Sequence, residues 1–285
     1  MDMKLRQSSS DRRLLIKNKE TNNSQSKQIS QNKMTTSASN NQTRDPETGD
    51  VHIPSMENKD IAANNKSGKR DAIASAFAAL SFVVGFALYS TVLFDLADDD
   101  ITSLEELKVI KDNEQIYYLS NMILYIFFGI AQLALSIGMA TASSAMFPAT
   151  SSLAKAFGII WSTLVIAAGM VGNIGANEAL DLYEKDPEGA ASLWKVIQTI
   201  HSGIGGGNEI VGGIWVLMAG WLYFKTLPCD KIAFIDKIVL VLTNFAGWTG
   251  ILSTVPIMAE STTVVFGVSM IVWYALFGIL MFFRS

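Results

Sequence analysis

Histidine and cysteine are scarce in this sequence of 285 residues, which contains two histidines and one cysteine. The single cysteine, Cys229, excludes an intramolecular disulfide and any metal site built from several cysteines. An intramembrane zinc protease needs a His-Glu-x-x-His motif, and neither His52 nor His201 belongs to one. The glycine run Gly203–Gly207 also fails the dinucleotide-binding pattern, because Asn208 stands where its last glycine should be. We therefore predict no enzymatic activity, no metal, no cofactor and no nucleic-acid partner.

Aromatic and long apolar stretches are almost missing from residues 1–70, which are rich in Ser, Asn, Gln, Thr and Lys. Such a segment cannot bury enough apolar surface to offset its chain entropy. The composition changes sharply after Arg70, where Ala, Val, Ile, Leu, Phe, Gly and Trp become dominant. We predict a disordered cytosolic tail over residues 1–70 and a membrane domain over residues 71–285.

Six apolar runs in the second part are each long enough to cross a membrane. A hydrocarbon core about 30 Å thick requires about 20 helical residues, and a helix satisfies its own backbone hydrogen bonds in lipid. The sequence therefore predicts an all-α, polytopic membrane bundle of six transmembrane helices embedded in a lipid bilayer. The predicted spans are residues 72–96, 117–145, 154–176, 205–224, 238–258 and 263–283.

Basic and acidic residues alternate at the ends of these runs and predict the orientation. Lys69 and Arg70 precede the first run, and the acidic sequence Asp98–Asp100 follows it. Later links repeat the alternation, and Arg284 follows the last run. Because basic residues are retained on the cytosolic side, both termini should be cytosolic and the acidic loops should lie outside.

Two shorter stretches have the spacing of amphipathic helices. Residues 102–112 place apolar side chains among charges, and residues 191–201 do the same ahead of the fourth run. The glycines at 203–207 should bend or break the chain between this second helix and the fourth span. Small residues recur every fourth position in several spans, and close packing of such residues holds helices together in lipid. They are Ala134, Gly138 and Ala142, then Ala168, Gly172 and Ala176, then Ala246, Gly250 and Thr254.

Polar side chains at membrane depth are costly and are therefore candidates for function. At about 1.5 Å per residue, Glu209 lies about 24 Å from Lys225, and Asn173 lies about 27 Å from Lys155. Asn173, Asn208 and Glu209 should therefore share one height in the outer part of the core, with His201 slightly above. Together they would line an outward-opening polar site.

The same residues also fit a structural role, because interhelical polar pairs are common in membrane proteins. Glu209 could bond to Asn173 or to broken backbone at Gly205–Gly207. Two classes of function therefore remain open. One is a transporter or channel for a small solute, an ion or protons, and the other is a non-transporting scaffold that binds partners. Gln132 and Asn244 are predicted to be isolated helix–helix contacts.

Several short motifs in the last third of the chain resemble an uncharacterised family of small bacterial multi-pass membrane proteins. They include Lys225-Thr-Leu-Pro228 in the link after the fourth run, Phe245-Ala-Gly247-Trp-Thr-Gly250, and Ile271-Val-Trp273-Tyr-Ala-Leu-Phe-Gly278 in the last run. The resemblance implies the same helix layout for this part of the chain, and it implies no activity.

Overall fold

The computed structural model describes the backbone of residues 56–93, 96, 101–206, 209–227 and 233–284. It describes their side chains except at 56–67, 206 and 260. All of these residues belong to one compact unit, Met56–Ser285. Most of the predicted tail, together with Asn208 and Cys229, therefore lies outside the described residues.

Every regular element in the described part of the chain is a helix. In chain order these are α1 (Met56–Val92), α2 (Ser103–Asp112), α3 (Glu114–Asn121), α4 (Phe128–Ser143), α5 (Pro148–Tyr183), α6 (Pro187–His201), α7 (Ile210–Thr226), α8 (Phe234–Leu252) and α9 (Ala259–Arg284). Two π-helical segments join neighbouring helices: Met122–Phe127 links α3 to α4, and Ser202–Gly206 follows α6.

Five helical segments are long and apolar enough to cross a membrane: Gly68–Val92, Glu114–Ser143, Pro148–Tyr183, Phe234–Leu252 and Ser261–Arg284. They correspond to five of the six predicted spans. The predicted fourth span corresponds to α7, which has 17 residues, begins at Ile210 and is not among these five segments. It starts later than expected because the chain from Ser202 to Gly206 is π-helical and Gly205 adopts a φ of 135°. The predicted break at the glycine run is therefore confirmed.

Helix α1 begins at Met56, so the predicted boundary between tail and membrane domain lies within a helix. It runs antiparallel to α9, because Ser75 Oγ donates a hydrogen bond to the Tyr274 carbonyl and a Cβ on Gly278 would lie 3.4 Å from the Ala72 carbonyl oxygen. The start of α1 and the end of α9 consequently lie on the same side of the bundle, called here the Arg284 side.

A layer of helices covers the opposite side of the bundle. With 36 residues, α5 is about 54 Å long and extends well beyond a hydrocarbon core of about 30 Å. Its last turns pack with α2, α3 and α6 around a buried cluster of Leu93, Leu107, Ile110, Tyr117, Ala176, Ala179, Ala190, Trp194 and Ile197. Both predicted amphipathic helices, at 102–112 and 191–201, belong to this layer and bury part of their apolar residues in it, whereas Leu104, Val196 and Ile200 stay exposed.

Helices α7 and α8 cross with their backbones in near contact. A Cβ added to Gly213 would lie 2.5 Å from the Gly247 carbonyl oxygen, and one added to Gly250 would lie 2.9 Å from the Gly213 Cα. The predicted packing role is confirmed at Gly250, and Ala168 and Ala176 are fully buried.

Two sequence-based interpretations are wrong at particular residues, and a third is confirmed. Ala134 and Ala142 are exposed, so Gly138 is the buried member of the predicted stripe in α4, and it faces Asp71 of α1. Asn244 makes no contact to another helix through its amide, because it is exposed and donates a hydrogen bond to Leu240 of its own helix. Gln132 is buried and accepts a hydrogen bond from the Tyr274 hydroxyl, which confirms the expected helix–helix contact.

Candidate functional site

Glu209 lies at the junction where the chain leaves the glycine-rich π segment and enters α7. Its backbone N–H donates to Ser253 Oγ at 2.8 Å, and its carbonyl accepts the N–H of Gly213 at 2.8 Å. The carboxylate oxygen Oε2 accepts a hydrogen bond from Trp161 Nε1 at 3.1 Å. Contacts from α5 and from the end of α8 thus fix Glu209 in place. Among the described residues, these partners of Glu209 do not include Asn173.

A cavity of about 200 Å³ reaches the Glu209 carboxylate. Its walls are almost entirely aromatic and aliphatic, and Glu209 is the acidic residue among them. The lining residues are Phe82, Phe86, Leu124, Tyr125, Phe128, Trp161, Val165, Gly205, Glu209, Thr263, Val264, Phe266, Gly267, Val268 and Ile271. The arrangement places one carboxylate in an otherwise apolar pocket.

Both π-helical segments contribute to this cavity. Leu124 and Tyr125 lie in the first segment, where the Phe128 N–H reaches back five residues to the Ile123 carbonyl. Gly205 lies in the second, at the positive φ that an L-residue with a side chain rarely adopts. Interruptions of this kind in helices recur at functional sites, because they widen the helix and redirect its side chains.

Asn173 and His201 form a second group beside the cavity. Asn173 Oδ1 accepts a hydrogen bond from Asn121 Nδ2 at 3.0 Å, and Asn121 Oδ1 accepts one from the Tyr89 hydroxyl at 3.4 Å. This chain links α1, α3 and α5. A Cβ on Gly172 would lie 3.4 Å from both Asn121 and His201, so His201 is adjacent to the same group.

Tyr125 contacts both groups. Its ring packs edge-on against His201, with 5.0 Å between ring centroids, and it also lines the cavity that contains Glu209. Of the four residues predicted to share one site, Glu209 lines the cavity, Asn173 and His201 do not, and Asn208 is outside the described residues.

Sequence reasoning missed Trp161 and Ser253, the two partners of Glu209. Both lie in apolar runs whose periodicity reads as ordinary core, and only the packing of α5 and α8 against the start of α7 brings them to the carboxylate. Among the described residues there is also no group of three or more His, Cys, Asp or Glu side chains that could hold a metal ion.

A buried ion pair closes the Arg284 side of the bundle. Asp236 is fully buried, pairs with Arg284, accepts a hydrogen bond from the Tyr223 hydroxyl and caps the start of α8 through the Ala233 N–H. The Arg284 guanidinium also lies 5.8 Å from the centroid of the Tyr223 ring. This group joins the ends of α7, α8 and α9 and has the full set of partners expected for a structural contact.

Comparisons with protein families, with curated proteins and with solved structures find no match to this chain. The resemblance of the last third to an uncharacterised bacterial family therefore stays a prediction. The chain is an integral membrane protein by its apolar helices. The cavity at Glu209 is the feature of the described residues that bears on its function.

Proposed function

We propose that this protein binds a small solute in the cavity at Glu209 and carries it across the membrane. The observation that supports the proposal is the cavity itself, because a scaffold needs no space of this size next to a half-buried acidic residue. An apolar cavity of about 150 Å³ is enough to hold benzene. The space beside Glu209, at about 200 Å³, suits a solute of that size bearing one polar group.

The lining favours a solute with an apolar body and one cationic or hydrogen-bond-donating group. Trp161 donates one hydrogen bond to the Glu209 carboxylate, which can accept further hydrogen bonds from a ligand. The remaining walls offer aromatic faces, which attract cations as well as apolar groups. A small aromatic amine combines these features.

The cavity borders the lipid-facing surface between α1 and α9. Phe86, Val264 and Val268 line it and are also about half exposed, at 54%, 59% and 49% of their surface. An apolar solute could therefore enter from the bilayer. The glycine run and the π segment beside Tyr125 are the places where the backbone can rearrange to open another route.

The transport proposal includes six crossings, with α7 as the fourth. At 17 residues α7 is about 26 Å long, slightly less than the hydrocarbon core. Gly205 and Glu209 both line the cavity and would extend the crossing, because irregular backbone is tolerated in a membrane where it lines a cavity. The many buried residues of α7, among them Trp215, Val216 and Ala219, support a central position.

Binding of benzylamine and of toluene to the purified protein in nanodiscs tests the site, with NMR saturation transfer as the measurement. Glu209→Gln should weaken benzylamine binding about 10- to 100-fold, the equivalent of about 1.5–3 kcal/mol for a hydrogen bond to a charged group. The same variant should leave toluene binding unchanged, since toluene has no donor.

Gly267→Leu is the matched control, because Gly267 lines the cavity and nothing lies within 4 Å of a Cβ placed there. Leucine should fill the space, abolish binding of both compounds and leave the melting temperature close to that of the wild type. Failure of both compounds to bind wild-type protein, together with no flux in vesicles across protons, metal ions and small amines, would contradict the proposal.

The second candidate is a partner-binding scaffold, and one observation favours it. Helix α6 exposes Val196 and Ile200 at 57% and 48% on the layer that covers the bundle, although single exposed apolar residues are common. A scaffold would keep its partner after Gly267→Leu, whereas a transporter would lose its flux.

We further propose that both termini are cytosolic. Basic residues gather on the Arg284 side, where α1 enters and α9 ends, and the positive-inside rule assigns that side to the cytosol. Asp50→Cys and Leu104→Cys, each in a Cys229→Ser background, can be exposed to an impermeant thiol reagent on intact cells. Labelling of Leu104→Cys with protection of Asp50→Cys is expected, and the reverse would overturn the orientation.

A further inference from the structure

Asp71 is a buried carboxylate on the Arg284 side of the bundle and within the first of the segments long and apolar enough to cross a membrane. Only 1% of its surface is exposed, and neither carboxylate oxygen receives a hydrogen bond from a described residue. Asp236, on the same side, is equally buried but is paired with Arg284 and bonded by Tyr223. The two aspartates are therefore equally buried but differ in their hydrogen-bond and ion-pair partners.

Gly138 of α4 provides the space that the Asp71 side chain occupies. A Cβ at Gly138 would lie 1.8 Å from Asp71 Oδ1, so any other residue at this position would displace the carboxyl group. Because Gly138 has no side chain, the Asp71 carboxyl group fits against α4, but Gly138 offers it no hydrogen-bonding side chain.

Arg70 attracts the Asp71 carboxylate from the exposed surface of α1, and the described interior of the bundle adds no second cation to it. Helix α4 has no titratable residue, and Arg284 of α9 is engaged with Asp236. On α1 itself, Lys69 and Arg70 are exposed, and neither donates a hydrogen bond to the carboxylate. The titratable residues of α3 are Glu114, Tyr117 and Tyr118. Besides Arg284, the titratable residue of α9 with a described side chain is Tyr274.

A buried charge without partners is far more costly than a neutral carboxyl group, so such a group takes up a proton or binds a cation. A metal ion needs several oxygen ligands, and the described residues offer no cluster of acidic side chains around Asp71. A proton needs only one oxygen. The proton is therefore the ligand that this environment fits.

Buried polar side chains occupy the interior between Asp71 and the cavity. Ser75, one turn from Asp71, donates to the Tyr274 carbonyl, and the Tyr274 hydroxyl donates to Gln132 Oε1 at 2.5 Å. Gln132 Nε2 in turn donates to Ser136 Oγ at 3.0 Å. Along α1, α4 and α9 these residues lie between the level of Asp71 and the residues that line the Glu209 cavity.

We propose that Asp71 is a proton-binding site, which holds one proton on its carboxyl group in the conformation described here and releases it to the Arg284 side. The proposal goes beyond solute binding at Glu209 and does not depend on it. If the solute site is also correct, the polar residues between the two carboxylates give the protein a means of coupling solute movement to a proton.

Infrared difference spectroscopy of the purified protein in lipid tests the protonation state directly. A protonated carboxyl group and a carboxylate absorb at different frequencies, so every result identifies one state or the other. Asp71→Asn should remove intensity from the carboxylic-acid band, and raising the pH of wild-type protein should remove the same intensity reversibly. Asp236→Asn is the matched control and should remove carboxylate intensity only.

Two results would overturn the proposal. Loss of carboxylate intensity in Asp71→Asn would show that the group is ionised, and an acid band that persists at every pH at which the protein is folded would show that the proton is not exchanged. If Asp71→Asn fails to fold, Gly138→Ala serves instead, because displacing the carboxyl group should shift the acid band. Glu209→Gln should leave the Asp71 signal in place, which separates this proposal from solute binding.

Discussion

The close approach of α7 and α8 at Gly213 predicts a large effect from adding a single methyl group. In Gly213→Ala the new Cβ would lie 2.5 Å from the Gly247 carbonyl oxygen, 2.8 Å from the Ile251 nitrogen and 3.0 Å from the Gly250 carbonyl carbon. All three are backbone atoms of α8, so no side-chain rotation can relieve the contact.

The size of the effect follows from these distances. Ordinary carbon–oxygen contacts between helices are about 3.3–3.6 Å, so the two helices must separate by on the order of 1 Å. Overpacking of this kind costs about 1–3 kcal/mol, and membrane helices depend on close packing for their association. We expect Gly213→Ala to lower the free energy of unfolding by about 1–3 kcal/mol.

Gly267→Ala is the control, because the same change there meets nothing within 4 Å. It should leave the free energy of unfolding unchanged or raise it by up to about 1 kcal/mol through helix propensity. Unfolding in mixed micelles by a denaturing detergent, followed by tryptophan fluorescence, measures both variants. Equal stabilities for Gly213→Ala and Gly267→Ala would refute the backbone contact between α7 and α8.

Three further predictions concern the ends of the bundle. Arg284→Ala should lower the free energy of unfolding by about 3–5 kcal/mol, because it leaves the buried Asp236 carboxylate without its partner. Lys111→Ala breaks the exposed pair with Glu184 and should cost at most about 1 kcal/mol. Similar losses for the two variants in the detergent titration would contradict this difference. A hydrogen bond from Thr102 lowers the pKa of Glu105, so the stability that Glu105 adds is present above its unfolded pKa and is lost as the pH falls through its folded pKa. Wild type should therefore melt above Glu105→Gln at neutral pH and lose that advantage in acid, and a difference independent of pH would refute the assignment. Removal of residues 1–55 should leave membrane insertion and melting temperature unchanged, because their composition offers no core; a large loss of either would show that the tail packs on the bundle.

The sequence by itself determined the fold class and the location of the crossings. Apolar runs as long as those around Phe82 or Met270 have one solution in lipid, which is a helix whose backbone groups bond to one another. Five of the predicted spans are therefore present as long apolar helices, and their observed ends differ from the predicted ends by several residues. The break before α7 was also readable, because the glycines at 203–207 are a strong local signal.

The hydrogen-bond partners of the polar residues Asn173 and Glu209 could not be predicted from the sequence in this way. Height along a helix can be counted from the sequence, but rotation about the helix axis depends on packing against neighbours. Asn173 and Glu209 were expected to face each other because they lie at similar heights. The structure turns Asn173 towards Asn121 and Glu209 towards Trp161, and Glu209 lines the cavity whereas Asn173 does not.

Asp71 shows most clearly what only the tertiary structure decided. Next to Arg70, at the edge of an apolar run, it reads as an ordinary charge flanking a span, and its sequence neighbours give no reason to expect burial. Helix α4 covers it because Gly138 lacks a side chain at the facing position. Local sequence sets the period and length of each helix, whereas the environment of a side chain depends on atoms from distant parts of the chain.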